Sequence, residues 1–523
     1  MTEYKVFIPS AGLGTRLGEL SRNRNKALVT VGTKPAICHI IDKFPKDVEV
    51  VIALGHMGEL TEQFVSLAYP DRKITCVRIQ NYTGPGSGLG RTLLDCKSHL
   101  QSPFIFCSND TIIREDIPPP HTNWMGYDDV KDVSQYRTIS VRRGLVKSIN
   151  EKAQQVWDEE KHAYIGLAGI LDYQLFWDKM DKGVNAGSIE IGESYGLREL
   201  ISSELEPKKF TWLDTGNKES LEKAVEELTP DDAPNILPKP NEDIWFVNDR
   251  VVKYSTDKKF ISRRVQRAEK LEKFVPAIEG STENMYVYPM VTGKVMSSVF
   301  TESVFSDFLD YLDDFWKPFS EDTSNFKELC HKFYKEKTLS RVSQYFTRFS
   351  YEDKEETVNG TKLPKLNKLL DCLDWDKICD GVPVRNHGDL HFENVLVSED
   401  YTFVLLDWRQ DFAGEMRYGD IYYDLAKILH GIIVSHGIVN QDLFTIESDG
   451  DMIKYDLFRK HSLVKAQSLF EKYVKNKGYD WWKVQAMTAL IYLNIAPLHH
   501  YPYSELLFYL GKDMLAEVTN GTY

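Results

Sequence analysis

No stretch of the 523-residue sequence approaches the ~18 consecutive apolar residues that a membrane-spanning helix needs. The chain opens on Tyr4-Lys-Val-Phe-Ile8, which reads as a strand, so no secretory leader is expected. Cysteine is scarce: seven residues, an odd count without any C-x-x-C pair, suit reduced thiols rather than a disulfide frame. Positive charge is in deficit, with 64 Lys and Arg against 78 Asp and Glu, a net charge of -14 and a pI near 5.5. That balance argues against nucleic acid or an anionic membrane as the main partner, while leaving room for local basic pockets. There is no internal repeat. These absences point to a soluble cytoplasmic protein that acts on small molecules, with homo-oligomerisation left open. What is present, 42% hydrophobic and 12% aromatic residues over this length, is enough for two or three cored domains.

The most informative stretch is Asn386-His-Gly-Asp-Leu-His-Phe-Glu-Asn394, followed by the apolar Val404-Leu-Leu406 and then Asp407-Trp408. Asp389 and Asn394 have the D-x-x-x-x-N spacing of a phosphotransfer loop, in which the Asp accepts the substrate hydroxyl proton and the Asn holds a metal. Val404–Leu406 reads as a buried strand that delivers Asp407 to the same mouth, where a second metal contact is needed. Read singly, H-G-D is a turn and Asp407 a helix cap; it is the joint spacing that indicates phosphate chemistry. The stretch resembles the aminoglycoside phosphotransferase and choline kinase superfamily. The resemblance implies Asp389 as catalytic base, with Asn394 and Asp407 as Mg²⁺ ligands. Gly419-Asp-Ile-Tyr-Tyr-Asp424-Leu-Ala resembles a further segment of that superfamily and is expected to support the loop.

At the other end, Val6-Phe-Ile8 runs into Pro9-Ser-Ala11-Gly12-Leu-Gly14-Thr15-Arg16-Leu17. A strand entering a glycine-rich loop suits phosphate cradling by backbone N–H groups. Arg16 and Lys26 add the cations that a triphosphate wants. Strand-like runs at Val48–Leu54, Ile74–Ile79 and Phe104–Cys107, separated by helix-length segments, predict a mainly parallel, Rossmann-like α/β sheet. Ligands of such sheets bind beyond the carboxyl ends of the strands, where Ser108-Asn-Asp110 also falls. Together with Lys26-Ala-Leu, Gly86-Ser-Gly88-Leu89, Ile149-Asn-Glu151-Lys152 and Trp212-Leu-Asp214-Thr-Gly216, this loop resembles the nucleotide-sugar pyrophosphorylases and phosphocholine cytidylyltransferases. The resemblance implies Arg16 and Lys26 at the triphosphate, Ala11, Gly12, Gly14 and Thr15 at the phosphates, and Gly84 to Leu89, with Gly88, at the base. It implies Asp110 and Asp214 on Mg²⁺, and Glu151 and Lys152 at the acceptor. Three positions depart from that pattern: Asn109 precedes Asp110 in place of glycine, Gly90-Arg-Thr92 replaces a glutamine-bearing stretch, and Ala153 replaces a proline.

The expected division is a nucleotidyltransferase domain over 1–227, a linker over 228–241 with four prolines in fourteen residues, and a kinase-like α+β domain over 242–523. The small lobe would span about 242–290 and the helical lobe about 291–523. Asn248-Asp249 between apolar runs predicts a hairpin. Lys253, ending V-V-K, takes the place of the lysine that pairs the α/β-phosphates of ATP, although a lone strand lysine is more often a solvated residue. Glu269, on a helix expected over Arg263–Phe274, is the candidate carboxylate partner, with Glu272 one turn away. No G-x-G-x-x-G precedes the hairpin, which disfavours a protein kinase. Tyr286–Met290 reads as the connection between lobes. Stripes at Val304, Phe308, Leu312, Phe315 and at Leu463, Ala466, Phe470, Tyr473 read as helical core.

A kinase and a nucleotidyltransferase in one chain suggest consecutive steps: ATP phosphorylates a hydroxyl of a small sugar or polyol, and the phosphate is joined to an NTP, with CTP slightly preferred, to give an activated building block for surface glycan. Choline or another amino alcohol is the alternative, for which Trp408, Trp481, Trp482, Tyr501 and Tyr503 would supply rings; Arg409 and Arg417 weigh against a cationic acceptor. A regulatory module with one silent half, and an antibiotic-inactivating kinase, are readings of another class.

Overall fold

The computed structural model describes residues 3–152, 161–231, 233–234, 239 and 241–519. Ala153 and residues 232, 235–238 and 240 of the proline-rich stretch lie outside the described residues. The chain divides into two compact units: 1–258 with 279–290, and 259–278 with 291–523.

The first unit is built on a nine-stranded sheet. In chain order its strands are β1 (Lys5–Ser10), β2 (Glu49–Leu54), β3 (Ile74–Arg78), β4 (Phe104–Cys107), β5 (Trp124–Asp128), β6 (Thr138–Arg142), β7 (Leu145–Asn150), β8 (Lys161–Ile170) and β9 (Glu206–Lys209). The order across the sheet is β7-β6-β8-β4-β1-β2-β3, with β5 and β9 branching from β8. The core β4-β1-β2-β3 is parallel, and from β8 outward the neighbours on the main path are antiparallel. Val6, Phe7, Ile8 and Val50 to Ala53 are fully buried, as central parallel strands covered on both faces must be. Helices α1 (Gly58–Ala68) and α2 (Leu89–Cys96) follow β2 and β3, and α3 (Tyr173–Lys182) follows β8. A two-stranded ribbon of Thr111–Ile113 and Trp212–Asp214 lies apart from the main sheet and leads into α4 (Lys218–Leu228).

The expected small-lobe strands form a separate antiparallel sheet: Glu242–Val247, Arg250–Ser255, Met285–Pro289 and Gly280–Ser281, in that order. Val247 pairs with Arg250, and Asn248 and Asp249 both take positive φ, 50° and 57°, the two-residue turn that Asn-Asp favours. This sheet clusters with the first unit, which differs from the expected boundary at 242. The reason is apolar burial. Trp245 stacks edge-on against Phe64 of α1 at 5.2 Å, its indole N–H donates to Thr30 Oγ1 at 2.9 Å, and Val247, Val252, Met285 and Val287 join the same core as Phe64 and Val65. Tyr286–Met290, read from sequence as the inter-lobe connection, mostly forms a paired strand of this sheet.

The second unit is mainly helical. Its principal helices are α5 (Lys258–Leu271), α6 (Glu302–Phe315), α7 (Lys337–Phe349), α8 (Ile421–Ile433), α9 (His461–Asn476), α10 (Trp481–Ile495) and α11 (Tyr503–Val518). Val304, Phe308, Leu312 and Phe315 are buried along α6; on α9, Leu463, Ala466 and Phe470 are buried, and the Tyr473 hydroxyl donates to Asp313. A short β-hairpin, Val395–Val397 with Phe403–Leu405, carries the phosphotransfer motif at its ends. Among the described residues no helix is long and apolar enough to cross a membrane, and all seven cysteines are free thiols.

Candidate active sites

In the first unit the glycine loop leaves β1 at the carboxyl edge of the parallel core. Gly14 sits at φ 68°, where a Cβ would lie 3.1 Å from the Lys26 Cβ, so the turn needs glycine. Asn25 is buried; its amide donates to Ser10 O at 2.9 Å and to His56 O at 2.6 Å, while its Oδ1 accepts from Ala27 N. That side chain fastens Lys26 to the ends of β1 and β2. In the sequence Asn25 is only the residue before Lys26-Ala-Leu28, and the fastening role follows from how the ends of β1 and β2 meet.

Lys26 Nζ lies 3.0 Å from Asp110 Oδ2, and Arg16 approaches the same oxygen at 3.8 Å from a largely exposed position. Ser108 donates to the other oxygen at 2.6 Å. Burial pushes the Asp110 carboxyl up, but Lys26, Ser108 and Arg16 outweigh it and hold the pKa at about 2. Asp214 accepts from Gly216 N at 2.8 Å, Ser220 Oγ at 3.2 Å and Tyr136 OH at 3.3 Å; burial and the charge on Asp110 raise its pKa. A backbone bond, Thr215 N to Asp110 O at 3.0 Å, ties the two acids together.

A Cβ on Gly216 would fall 3.0 Å from Asp214 Oδ1, 3.2 Å from Asp110 Oδ2 and 3.3 Å from an Arg16 Nη. The residues therefore converge on one small space that no side chain fills. Two carboxylates there match Mg²⁺, which takes one or two protein carboxylates and completes its octahedron with water and phosphate. No cluster of three or more His, Cys, Asp or Glu suited to a metal occurs among the described residues.

Gly84 and Gly86 have positive φ and nothing near a would-be Cβ, whereas Gly88 would clash with Ile189 O at 2.4 Å. Only the first two offer open backbone. Glu151 is engaged by Arg137 at 2.8 Å and by Arg198, and Arg137 also pairs with the buried Glu193 at 3.2 Å. The Glu151 carboxylate, expected at the acceptor, holds two arginines in this structure. Lys152 is exposed.

In the second unit Asp389 follows a turn held by Asp424 of α8, whose carboxylate accepts from His387 N at 2.8 Å, Gly388 N at 2.7 Å and Trp316 Nε1 at 3.0 Å. This is the supporting role expected for the G-D-I-Y-Y-D-L-A segment. Burial raises the Asp424 pKa to about 6, against those donors. His387 is fully buried and neutral, its pKa lowered to about 3 chiefly by burial. Its Nε2 meets Leu406 O at 2.9 Å and its Nδ1 accepts from Asp389 N at 3.2 Å, so it links the loop to the residue before Asp407.

Asp389 turns Oδ2 toward Asn394 Nδ2 at 3.4 Å and Oδ1 toward Lys427 Nζ at 2.8 Å. Burial pushes the Asp389 carboxyl up, yet Lys427 and His391 hold it well below the ordinary range. Lys427, on α8, was missed from sequence; its only signal is a charged residue in the otherwise apolar stretch that follows D-L-A.

Asp407 has φ 56° and its carboxylate meets the Arg264 guanidinium of α5. A carboxylate and an amide from neighbouring strand ends are the hard oxygen donors that Mg²⁺ prefers, and Arg264 marks the position as one that accepts positive charge. Arg267 is buried and donates to Asn386 O and Oδ1, and to Arg409 O at 3.0 Å. The face of α5 turned to the loop therefore carries Arg264 and Arg267. Glu269 is exposed on another face, so the helix does not direct Glu269 where sequence reasoning placed it. Glu272 pairs with Arg385 at 2.9 Å. Lys253 is buried in the first unit's antiparallel sheet, opposite Ile244 and Tyr286.

The rings proposed for a choline box are scattered. Trp408 is buried with its N–H on Arg264 O, Trp481 packs on Phe470, Trp482 donates to Val518 O, Tyr501 is exposed and Tyr503 buried.

Residues 329–447 match the family model described as "Phosphotransferase enzyme family" (APH). The chain is 29% identical over 112 residues to the bifunctional protein GlmU of Methanococcus vannielii, covering 21% of this chain and 26% of that protein. It is 25% identical over 268 residues to UTP–glucose-1-phosphate uridylyltransferase YngB of Bacillus subtilis, covering 43% of this chain and 89% of that protein. The chain thus spans about a quarter of the length of the GlmU relatives it matches. A solved structure of CTP:phosphocholine cytidylyltransferase (LicC) from Streptococcus pneumoniae aligns at 16% identity and TM-score 0.36, over 43% of this chain and 100% of that one. The comparisons thus find a phosphotransferase-family segment at 329–447 and sequence similarity to a uridylyltransferase over 43% of this chain.

Proposed function

We propose that this chain is a bifunctional enzyme: a kinase that transfers the γ-phosphoryl of ATP to a hydroxyl of a small sugar or polyol, and a nucleotidyltransferase that joins the resulting phosphate to an NTP with release of pyrophosphate. CTP is the slightly preferred nucleotide and an NDP-activated precursor of surface glycan the product. The observation that supports it best is that each unit assembles its own set of acids and cations at strand ends: Arg16, Lys26, Asp110 and Asp214 in one, Asp389, Asn394, Asp407 and Lys427 in the other.

In the second unit the acceptor hydroxyl docks against Asp389 and passes its proton to that carboxylate as its oxygen bonds to the γ-phosphorus and the bond to the departing ADP breaks. A carboxylate held far below the usual range is a weak base, which suits a loose transition state in which positioning outweighs proton abstraction. In the first unit an oxygen of the phosphate monoester attacks the α-phosphorus, and Arg16 and Lys26 take up charge on the departing pyrophosphate. Mg²⁺ held by Asp110 and Asp214, and by Asn394 and Asp407, would neutralise phosphate charge in both reactions. The scattered rings and the arginine beside the loop count against choline.

The test is separability. Asp389→Asn is expected to abolish ADP formation while pyrophosphate release from a supplied phosphorylated acceptor persists, and Asp110→Ala is expected to do the reverse. Loss of both activities from either folded variant would end the two-site reading.

A further inference from the structure

Three further cations gather around Lys427, the partner of Asp389, in the second unit, and sequence reasoning used only one of them. Lys337 and Arg341 lie one turn apart on α7, and Arg409 follows the strand that delivers Asp407. Lys337 Nζ sits 4.4 Å from the centre of the Phe333 ring and 5.8 Å from that of Tyr423. Arg409 Cζ sits 4.9 Å from the same Phe333 ring. Phe333 and Tyr423 are themselves in edge contact at 4.8 Å, and Tyr423 is one turn before Lys427 on α8. The stem of Arg409 packs on Gly388, where a Cβ would come within 2.7 Å of it, so the cation is carried by the catalytic loop's own neighbour.

Cations grouped at a protein surface normally find carboxylates. Arg417, close by in sequence, does so with Glu415 at 2.8 Å and Glu321 at 3.2 Å, and Arg263 does so with Asp411. Among the described residues Lys337, Arg341 and Arg409 make no ion pair, and Arg409 Nε is buried without a hydrogen-bond partner. Arg341 reaches only Gln344 of its own helix, at 2.8 Å. Burial, and then Arg409, Lys427 and Arg341, drive the Lys337 pKa well below its ordinary value against the pull of Asp389, so burial and like charge both press on this lysine. A π-helical turn at Lys332–Glu336, between Phe326–His331 and α7, sets the phase that brings Phe333 and Lys337 to this place; such turns recur at functional sites.

The group lies on the Lys427 side of Asp389. Oδ1 faces Lys427 and Oδ2 faces Asn394, and Lys337 and Arg409 both act on Lys427, so the cations group with Lys427 rather than with Asn394, on the side left to the acceptor. We infer that the kinase acceptor carries, besides the hydroxyl that Asp389 orients, a carboxylate or phosphate group received by Lys337, Arg341 and Arg409. This rests on the kinase reading above and narrows its acceptor from sugars and polyols at large to their acid or phosphorylated forms. Arg and Lys recognise both anions through charge-assisted hydrogen bonds.

The experiment uses the full chain with Mg-ATP and matched acceptors: glycerol, D-glycerate and glycerol 3-phosphate; glucose and gluconate; and choline. ADP release is read for turnover, and calorimetric titration of the same compounds for binding. The anionic members are expected to exceed their neutral counterparts by about 10²-fold or more in kcat/KM or affinity; the glycerate and glycerol 3-phosphate arms tell carboxylate from phosphate. Lys337→Met and Arg341→Met should each raise KM or Kd for the anion about tenfold or more and shrink the gap to the neutral partner, and Lys337→Arg should restore it. Equal or better use of neutral acceptors or choline, anion binding unaltered by Lys337→Met, or a rise confined to KM for ATP would each overturn the inference. The kinase reading fails separately, if ATP turnover is the same in Asp389→Asn as in the native chain.

Discussion

The two acid clusters store their positive charge differently. In the first unit a single carboxylate, Asp110, takes both cations, while Asp214 is held by neutral donors from Gly216, Ser220 and Tyr136. In the second unit each acid has a cation of its own, Lys427 on Asp389 and Arg264 on Asp407. On the reading proposed above, the first arrangement would lend the same lysine and arginine to an incoming triphosphate, with nucleotide and metal replacing the internal pairing together. The second would assign one cation to the base and another to the metal ligand, separating hydroxyl orientation from metal capture. Similar side chains would then serve an attack on an α-phosphorus in one place and transfer of a γ-phosphoryl in the other.

The largest expected effects break the comparison outright. Asp389→Asn should lower ATP-dependent phosphorylation by about 10²–10⁴-fold, and Asp110→Ala should lower pyrophosphate release by about 10²–10³-fold, each assayed against the activity it leaves standing. Next comes the core beneath the antiparallel sheet. Trp245→Ala removes an indole that is fully buried and should cost the first unit about 3–5 kcal/mol in chemical unfolding, although sequence alone assigns that tryptophan to the kinase.

Lys427→Met sharpens the contrast from the other side. It should reduce the kinase kcat by about 10²-fold, with pyrophosphate release from a supplied acceptor unchanged. The smallest effect is a pH dependence of the first unit's stability. Burial lowers the His39 pKa from 6.5 to about 4, so the folded unit keeps the imidazole neutral while the unfolded chain protonates it. The associated stability is present in full above about pH 6.5 and is lost as pH falls toward 4; His39→Gln should flatten that slope, on the order of 1–3 kcal/mol, in melting followed from pH 7 to 4.

Local signals carried a good part of this molecule. The apolar runs of β1, β2, β3 and β4 fall where continuous hydrophobicity places buried parallel strands, and the Asn248-Asp249 turn is set by two residues that tolerate positive φ. Asp110 and Asp214, 104 positions apart, were expected together and are joined through Thr215. What stayed hidden depends on which face a helix turns inward. Glu269 is a plausible partner by spacing alone, but α5 buries Arg264, Arg267, Ala268 and Leu271, and a shift of one position along a helix moves a side chain 100° around it. Lys427 and Lys337 were invisible for a related reason: neither a lysine in an apolar helix nor one in a charged run such as Lys335-Glu-Lys337 has a periodic signature, and only tertiary packing brings it to a carboxylate or an aromatic ring. The assignment of the Trp245 sheet to the first unit is likewise a matter of which apolar surface it meets, and a hairpin motif carries no such address.

That sheet has a consequence for how the polypeptide can be taken apart. The backbone passes from one compact body to the other at 258–259, returns at 278–279 and leaves again at 290–291. Severing the proline-rich stretch near residue 235 would yield an amino-terminal piece missing part of its own interior, with Phe64 and Val65 laid bare where Trp245 and Val287 had been. The two units are therefore stitched rather than strung together, and a nick in the stretch that looks like a tether should leave fragments that co-purify until denatured.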